Sequence, residues 1–267
     1  MAFTYEQALP GVYHIADAMG VCMTLLAGEE RALLVDTGYG VEDVAAFVRT
    51  LTDKPLTVLL THGHYDHALG ARWFDNARLF PADLPVYETY AGEYWRRHVL
   101  EGVHQHGLKI NEADFLAAAL PAAQVQAEEA IDLGGMTARI LLCPGHTPGS
   151  AVVYVPEREL LLTGDDWNPT VWLFYPEALP VRQYRENVKK LLDLPFRHVL
   201  CSHQPRLFRR GKLEAFLAGL TDEALDAAGT VPTGELVHVR TAQAALPDEQ
   251  YIVFDRDKYQ QEKESTL

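Results

Sequence analysis

Cysteine is scarce in this chain. There are 3 in 267 residues, Cys22, Cys143 and Cys201, too few and too scattered for a disulfide framework or a paired-cysteine zinc site. Positive charge is also short: 23 Lys and Arg against 37 Asp and Glu leave a formal charge of -14, so the surface field repels polyanions and disfavours nucleic acid as a partner. No apolar run approaches a membrane span, and the opening MAFTYEQALPG has no basic segment followed by an apolar one. These absences point to a globular protein of the reducing cytoplasm whose partner is a small molecule rather than nucleic acid or membrane. The hydrophobic fraction is 48%, and a chain of this length buries a substantial core without staples, so any metal it binds is expected to be functional.

Strand signals occur at GVYHIA, CMTLLAG and ALLVDTG, followed by helical spacing in VEDVAAFVRTL, a buried strand in PLTVLL and a short helix in ALGARWF. From about residue 85 to 119 the pattern turns helical and aromatic, and we read an insertion there. Strands return at AIDLGG, MTARILLC, SAVVYVP and ELLLTG. Helix VRQYRENVKKLLDL, strand HVLCS, helix KLEAFLAGLTDEALDAA and two closing strands, LVHVRT and YIVFD, complete the chain. The order predicts one α/β domain over 1–267, with two sheets packed face to face and helices covering both.

The stretch THGHYDH, Thr61 to His67, packs three histidines and an aspartate into seven residues. Five apolar strands run into a residue of this type: ALLVD into Asp36, TVLLTH into His62, ILLCPGH into His146, LLLTGD into Asp165 and VLCSH into His203. Strand ends present polar groups from a rigid base, so five of them can converge on one point. Imidazole nitrogen and carboxylate oxygen are the donors that hold zinc, and also iron or manganese, in hydrolytic sites. His62, His64, Asp66, His67, His146, Asp165 and His203 are more donors than one tetrahedral ion can use, which indicates two divalent ions. Gly63, Gly145 and Gly164 beside them suggest that the ligands sit on loops.

In this order, THGHYDH, PGHT, TGDD and SH resemble the signature of the metallo-β-lactamase superfamily, over Asp36 to His203. The resemblance implies an αβ/βα four-layer sandwich. It further implies one metal, most simply zinc, on His62, His64 and His146, a second on Asp66, His67 and His203, Asp165 bridging them, and Asp36 bracing the site from behind. The chemistry expected is hydrolysis by a hydroxide shared between the ions, with Asp66 also orienting it. Asp165 and His67 argue against a true β-lactamase, Asn168 stands where quorum-quenching lactonases usually carry tyrosine, and DWNPTVWLF is unlike glyoxalase II. A small ester, thioester or lactone is the expected substrate. The alternatives are a phosphodiester clamped by Arg206, Arg209, Arg210 and Lys212, iron-dependent oxidation of a sulfur compound, or a metabolite sensor without turnover.

Asp166 is read as a cap or solvated charge, and Cys143 and Cys201 as small core residues. His14, His98, His104, His106, His198 and His238 are read as structural or exposed, with His104 and His106 the two that the insertion could turn towards the site. Tyr94, Trp95, Trp167, Trp172, Phe174 and Tyr175 are candidate pocket walls, and the insertion is expected to cover the site or to serve a homodimer contact.

Overall fold

The computed structural model describes residues 3–232 and 239–265. The first half forms a seven-stranded sheet in chain order. Four antiparallel neighbours, β1 (Thr4–Leu9), β2 (Val12–Ala16), β3 (Cys22–Ala27) and β4 (Ala32–Val35), are followed by parallel β5 (Leu56–Leu59), β6 (Arg78–Leu79) and β7 (Gln124–Val125). Helix α1 (Val44–Val48) joins β4 to β5, with Asp43 capping it through the Ala46 amide. Strand β1 carries no buried face to mark it in the sequence: TYEQAL is exposed or half-buried throughout, as an edge strand can be.

The second half forms a six-stranded sheet from β8 (Glu129–Asp132), β9 (Thr137–Leu142), β10 (Ala151–Val155) and β11 (Leu160–Leu162), continued by two later strands. Strand β12 (Thr170–Leu173) departs to a third sheet; after α-helix Val181–Lys189 the chain returns with β13 (His198–Leu200) and β14 (Phe208–Arg209). That third sheet has the order β12-β17-β16-β15 and uses β15 (Gly229–Thr230), β16 (Thr241–Leu246) and β17 (Gln250–Asp255). Two sheets were expected and three are found. The first half of the sequence LVHVRT read as a strand, His238 included, lies outside the described residues; β16 begins at its last residue and continues through TAQAAL, whose alanines carry little strand propensity.

Alternation along each strand builds the layers. Leu33 and Val35 face a core shared with Ile140, Val153 and Leu162 of the second sheet, while Ala32 and Leu34 turn outward to Val44 and Val48 of α1. On the other side Val152, Tyr154, Leu161 and Val199 pack against Tyr184 and Val188, Leu213 and Phe216, and Ile252 and Phe254 of the third sheet. The four-layer sandwich is therefore present, with the third sheet added on its second helical side. KLEAFLAGLTDEALDAA is two helices, Arg210–Gly219 and Asp222–Asp226, because the Thr221 hydroxyl accepts from the Ala224 amide and starts a new helix.

Candidate metal centre

Each of the five strand ends delivers its residue to one place. The histidine motif does not stay in a loop: His64 is the residue preceding a helical turn, Tyr65–Ala68, so Asp66 and His67 are helical, and a tighter turn over Leu69–Trp73 replaces the helix expected there. Gly63 is required by close packing, since an added Cβ would lie 2.3 Å from the Tyr87 amide nitrogen in the insertion. Gly164 has φ 53 and packs against Thr61, where a side chain would be strained and crowded.

Three donor groups form, His62 with His64 and His146, His62 with His67 and Asp165, and Asp66 with His67 and His203, each with its atoms within 4.8 Å of one another. In the first, His64 Nδ1 lies 3.1 Å from His62 Nε2 and 3.0 Å from His146 Nε2. The outward nitrogens decide where the protons are. His146 Nδ1 donates to the Trp172 carbonyl at 2.7 Å and His64 Nε2 to Glu177 Oε1 at 2.5 Å. His62 Nδ1 donates to Thr61 Oγ1 at 3.0 Å, because that hydroxyl gives its own proton to Asp36 at 2.9 Å. With their protons held outside, the inward nitrogens face each other as lone pairs. No hydrogen bond can join them, and a cation between them would satisfy all three.

The second group is charged. Asp66 Oδ2 lies 3.5 Å from His67 Nε2 and 3.6 Å from His203 Nε2. His67 Nδ1 donates to Asp36 Oδ2 at 2.9 Å, while His67 Nε2 and Asp165 Oδ1 are buried without a hydrogen-bond partner. Asp165 Oδ2 faces both groups, 3.7 Å from His146 Nε2, 3.5 Å from His67 Nε2 and 3.0 Å from His203 Nε2. The orphaned atoms and opposed lone pairs fit a pair of divalent ions in donor type and direction.

Electrostatics separates the two groups. Burial lowers His146 to about 4, helped by the neighbouring His64, and burial together with His67 and His64 holds His62 well below the ordinary histidine value. Burial acts the same way on His67, but Asp66, Asp165 and Asp36 outweigh it and raise His67 well above that value; Asp165 likewise raises His203. Asp165 is desolvated, yet His203 and His67 hold it well below the usual carboxylate range.

Asp36 lies directly behind the donor cluster. Its carboxylate accepts from the Thr61 amide at 2.7 Å, the Thr61 hydroxyl, His67 and, at 3.3 Å, Ser202. These bonds hold it at φ 65, an uncommon conformation for a residue with a Cβ. Asp166 departs from its reading as a cap or solvated charge. It is 1% exposed, accepts from the His146 amide at 2.9 Å, and burial raises its carboxyl well above the usual range.

A cavity of about 450 Å³ opens on the donors, and Tyr39, Tyr65, His98, Trp172, Tyr175 and Gln204 are among its walls. His98 is therefore part of the site. It lies on the insertion helix Glu93–Gln105, and which side of that helix faces the cavity is what the sequence did not reveal. Of the aromatic candidates, Trp172 and Tyr175 line the cavity, whereas Trp167 is fully buried in the core and Phe174 packs behind Tyr175. Trp95 stacks on Tyr65 with centroids 5.2 Å apart, one layer back, and Tyr94 is 68% exposed. His104 pairs with Glu112 and His106 with the Gly102 carbonyl, away from the site. His14 is a core residue bonded to Thr24 and the Gln204 carbonyl. Cys143 and Cys201 are buried in the core. Arg210 binds the carbonyls of Leu192 and Leu194, Lys212 binds that of Asp248, and Arg206 lies over Phe208; none of the basic cluster lines the cavity. Sequence reasoning missed Glu177, for which the only signal was an acid in the proline-bracketed loop YPEALP.

A sandwich of this layering with histidine and aspartate donors at its strand ends defines a metallo-β-lactamase-type protein, and a profile of the metallo-beta-lactamase superfamily matches residues 17–203. The chain belongs to that superfamily. It is 28% identical over 144 residues to a probable metallo-hydrolase, YqgX, of Bacillus subtilis, covering 52% of this chain and 63% of that one. It is 24% identical over 189 residues to the acyl-coenzyme A thioesterase MBLAC2 of Homo sapiens, covering 64% and 66%. The matched part thus spans less than two thirds of either relative. Among solved structures, TTHA1623 in a di-iron-bound form is 30% identical with a TM-score of 0.54, covering 73% of this chain and 92% of that one. A variant of the sec-alkylsulfatase PisA1 from a Pseudomonas species shares the fold at 16% identity, with a TM-score of 0.65 over 96% of this chain and 49% of that one. Among the described residues no helix is long and apolar enough to cross a membrane.

Proposed function

We propose that this protein is a dinuclear metal hydrolase of small thioesters or esters. The observation that carries the reading is Asp165 Oδ2, one oxygen within 3.7 Å of the inward nitrogens of His146, His67 and His203, from both donor groups. His62, His64 and His146 would hold one ion, Asp66, His67 and His203 the other, and Asp165 would be the donor common to both. Zinc suits these nitrogen and oxygen donors, and the di-iron form of TTHA1623 makes iron the competing metal. When bound, divalent ions supply Lewis acidity towards a substrate oxygen and towards water.

The chain's own residues do the rest. Asp66, 14% exposed at the cavity floor, accepts a hydrogen bond from the attacking water and directs it at the acyl carbon. Water adds there, the bond from the acyl carbon to sulfur or oxygen breaks, one water proton passes to the departing sulfur or oxygen and the other to solvent, and a carboxylate and a thiol or alcohol leave. Tyr39, Tyr65, Trp172 and Tyr175 present aromatic faces to the acyl chain, and among the described residues no Lys or Arg lines the cavity, which favours an uncharged group there. The MBLAC2 relatives support a thioester. The basic cluster does not line the cavity, so phosphodiesters rank below acyl compounds. A panel of chromogenic thioesters, esters, lactones and bis-aryl phosphates tests this: turnover of acyl substrates is expected, and activity on the phosphate alone would overturn it.

A further inference from the structure

We infer that Glu177 is a positioning residue that sets His64 for metal binding and ties the inserted helices to the metal centre. This inference rests on the proposed three-histidine site. His64 differs from the other inward-facing histidines because it points Nδ1 at the cluster and Nε2 away from it. Histidine presents Nδ1 as a lone pair only when its proton is on Nε2, and no backbone carbonyl fixes that choice here. Glu177 Oε1 does, 2.5 Å from His64 Nε2.

The same oxygen accepts from the Tyr90 hydroxyl at 2.7 Å, and Tyr90 lies on the insertion helix Leu84–Tyr90 with its ring 4.4 Å from the His64 ring. Glu177 is held from the other side. Lys258, on the C-terminal helix Arg256–Glu264, donates to the carbonyls of Pro176 and Ala178 at 3.0 and 2.8 Å, fixing the loop on both sides of the glutamate. The carboxylate is only 16% exposed, so both of its bonds are made in a largely dry setting, where they constrain strongly. His64 therefore depends on two segments that carry none of the seven proposed ligands, the insertion and the C-terminal helix. Partners behind a metal-ligating histidine commonly govern metal affinity by about 10–100-fold.

The test uses the full chain freed of metal and then titrated with Zn(II) against a chromophoric chelator, with the His64 tautomer read from its ring 15N shifts in the metal-free state. Glu177→Ala is expected to lose about tenfold or more in affinity for one of two equivalents and to give a mixed His64 tautomer. Glu177→Gln, whose amide oxygen can accept both bonds, should restore the Nε2–H tautomer and stay within about threefold of the parent. Tyr90→Phe should weaken the same equivalent by a smaller factor, and serves if Glu177→Ala does not fold by circular dichroism. Parental affinity and an unchanged tautomer in Glu177→Ala, or in Tyr90→Phe where only that variant folds, would overturn the inference. If the parent itself binds no zinc, the three-histidine site fails instead, which is a different outcome.

Discussion

The two donor groups of the candidate metal centre are built on opposite principles. One is a set of imidazoles whose outward nitrogens are anchored by Trp172, Glu177 and Thr61, so that lone pairs are left facing inward. The other combines Asp66 and Asp165 with His67 and His203, so that negative charge accumulates until a proton or a metal balances it. They also differ in access: His64 and His146 are buried, while the His203 side chain is 35% exposed. On the proposed two-ion reading, geometry would select the ion in the first half and charge in the second. A preformed, dry imidazole set should hold its ion more tightly than an open carboxylate set that protons can occupy.

Asp165→Ala should have the largest effect because it touches both halves. Turnover is expected to fall by about 10²–10³-fold or more, with metal content falling too, while the melting temperature of the metal-free protein stays within a few degrees because the core is independent of the site. Removing one half at a time sharpens the comparison. After dialysis, elemental analysis should find one ion per chain in His203→Ala, and a weaker remaining ion in His146→Ala.

A smaller effect is expected where the insertion backs the imidazole half. Trp95 stacks on Tyr65 and sits 4.5 Å from Tyr90, so Trp95→Ala should change relative rates across the substrate panel by a few-fold, through lost transition-state contacts, without lowering metal content. Tyr94→Ala, altering an exposed ring, should leave those ratios unchanged. Parental rate ratios in both variants would make the insertion structural.

The smallest effect separates the halves by pH in the metal-free chain. His146 is lowered to about 4, so its contribution to stability is present above the unfolded value of about 6.5 and is lost as pH falls towards 4. His203 is raised, so its contribution is present below about 6.5 and is lost as pH rises through the folded value. Melting curves should show His146→Asn flattening the acid side and His203→Asn flattening the alkaline side.

Much of this centre could be read in the sequence because its donors stand at the ends of apolar strands, where the chain itself announces both the rigid base and the exposed tip. Asp36, His62, His146, Asp165 and His203 follow β4, β5, β9, β11 and β13 in that way. What was hidden is everything that acts at a distance along the chain. Glu177 reaches His64 across 113 positions, and His98 enters the cavity from a helix whose facing is fixed only by packing. The third sheet was hidden for a different reason: TAQAAL offers a buried face of small residues rather than β-branched ones. Yet that sheet matters, since β12 supplies the Trp172 carbonyl that orients His146.

The central claim is that two ions share Asp165 and act together. Metal-free protein titrated with Zn(II), with bound ions counted by native mass spectrometry and hydrolysis of the best thioester followed in the same samples, tests it most directly. Activity is predicted to rise with the second equivalent and to plateau at two ions per chain. Full activity with one ion or none would contradict it.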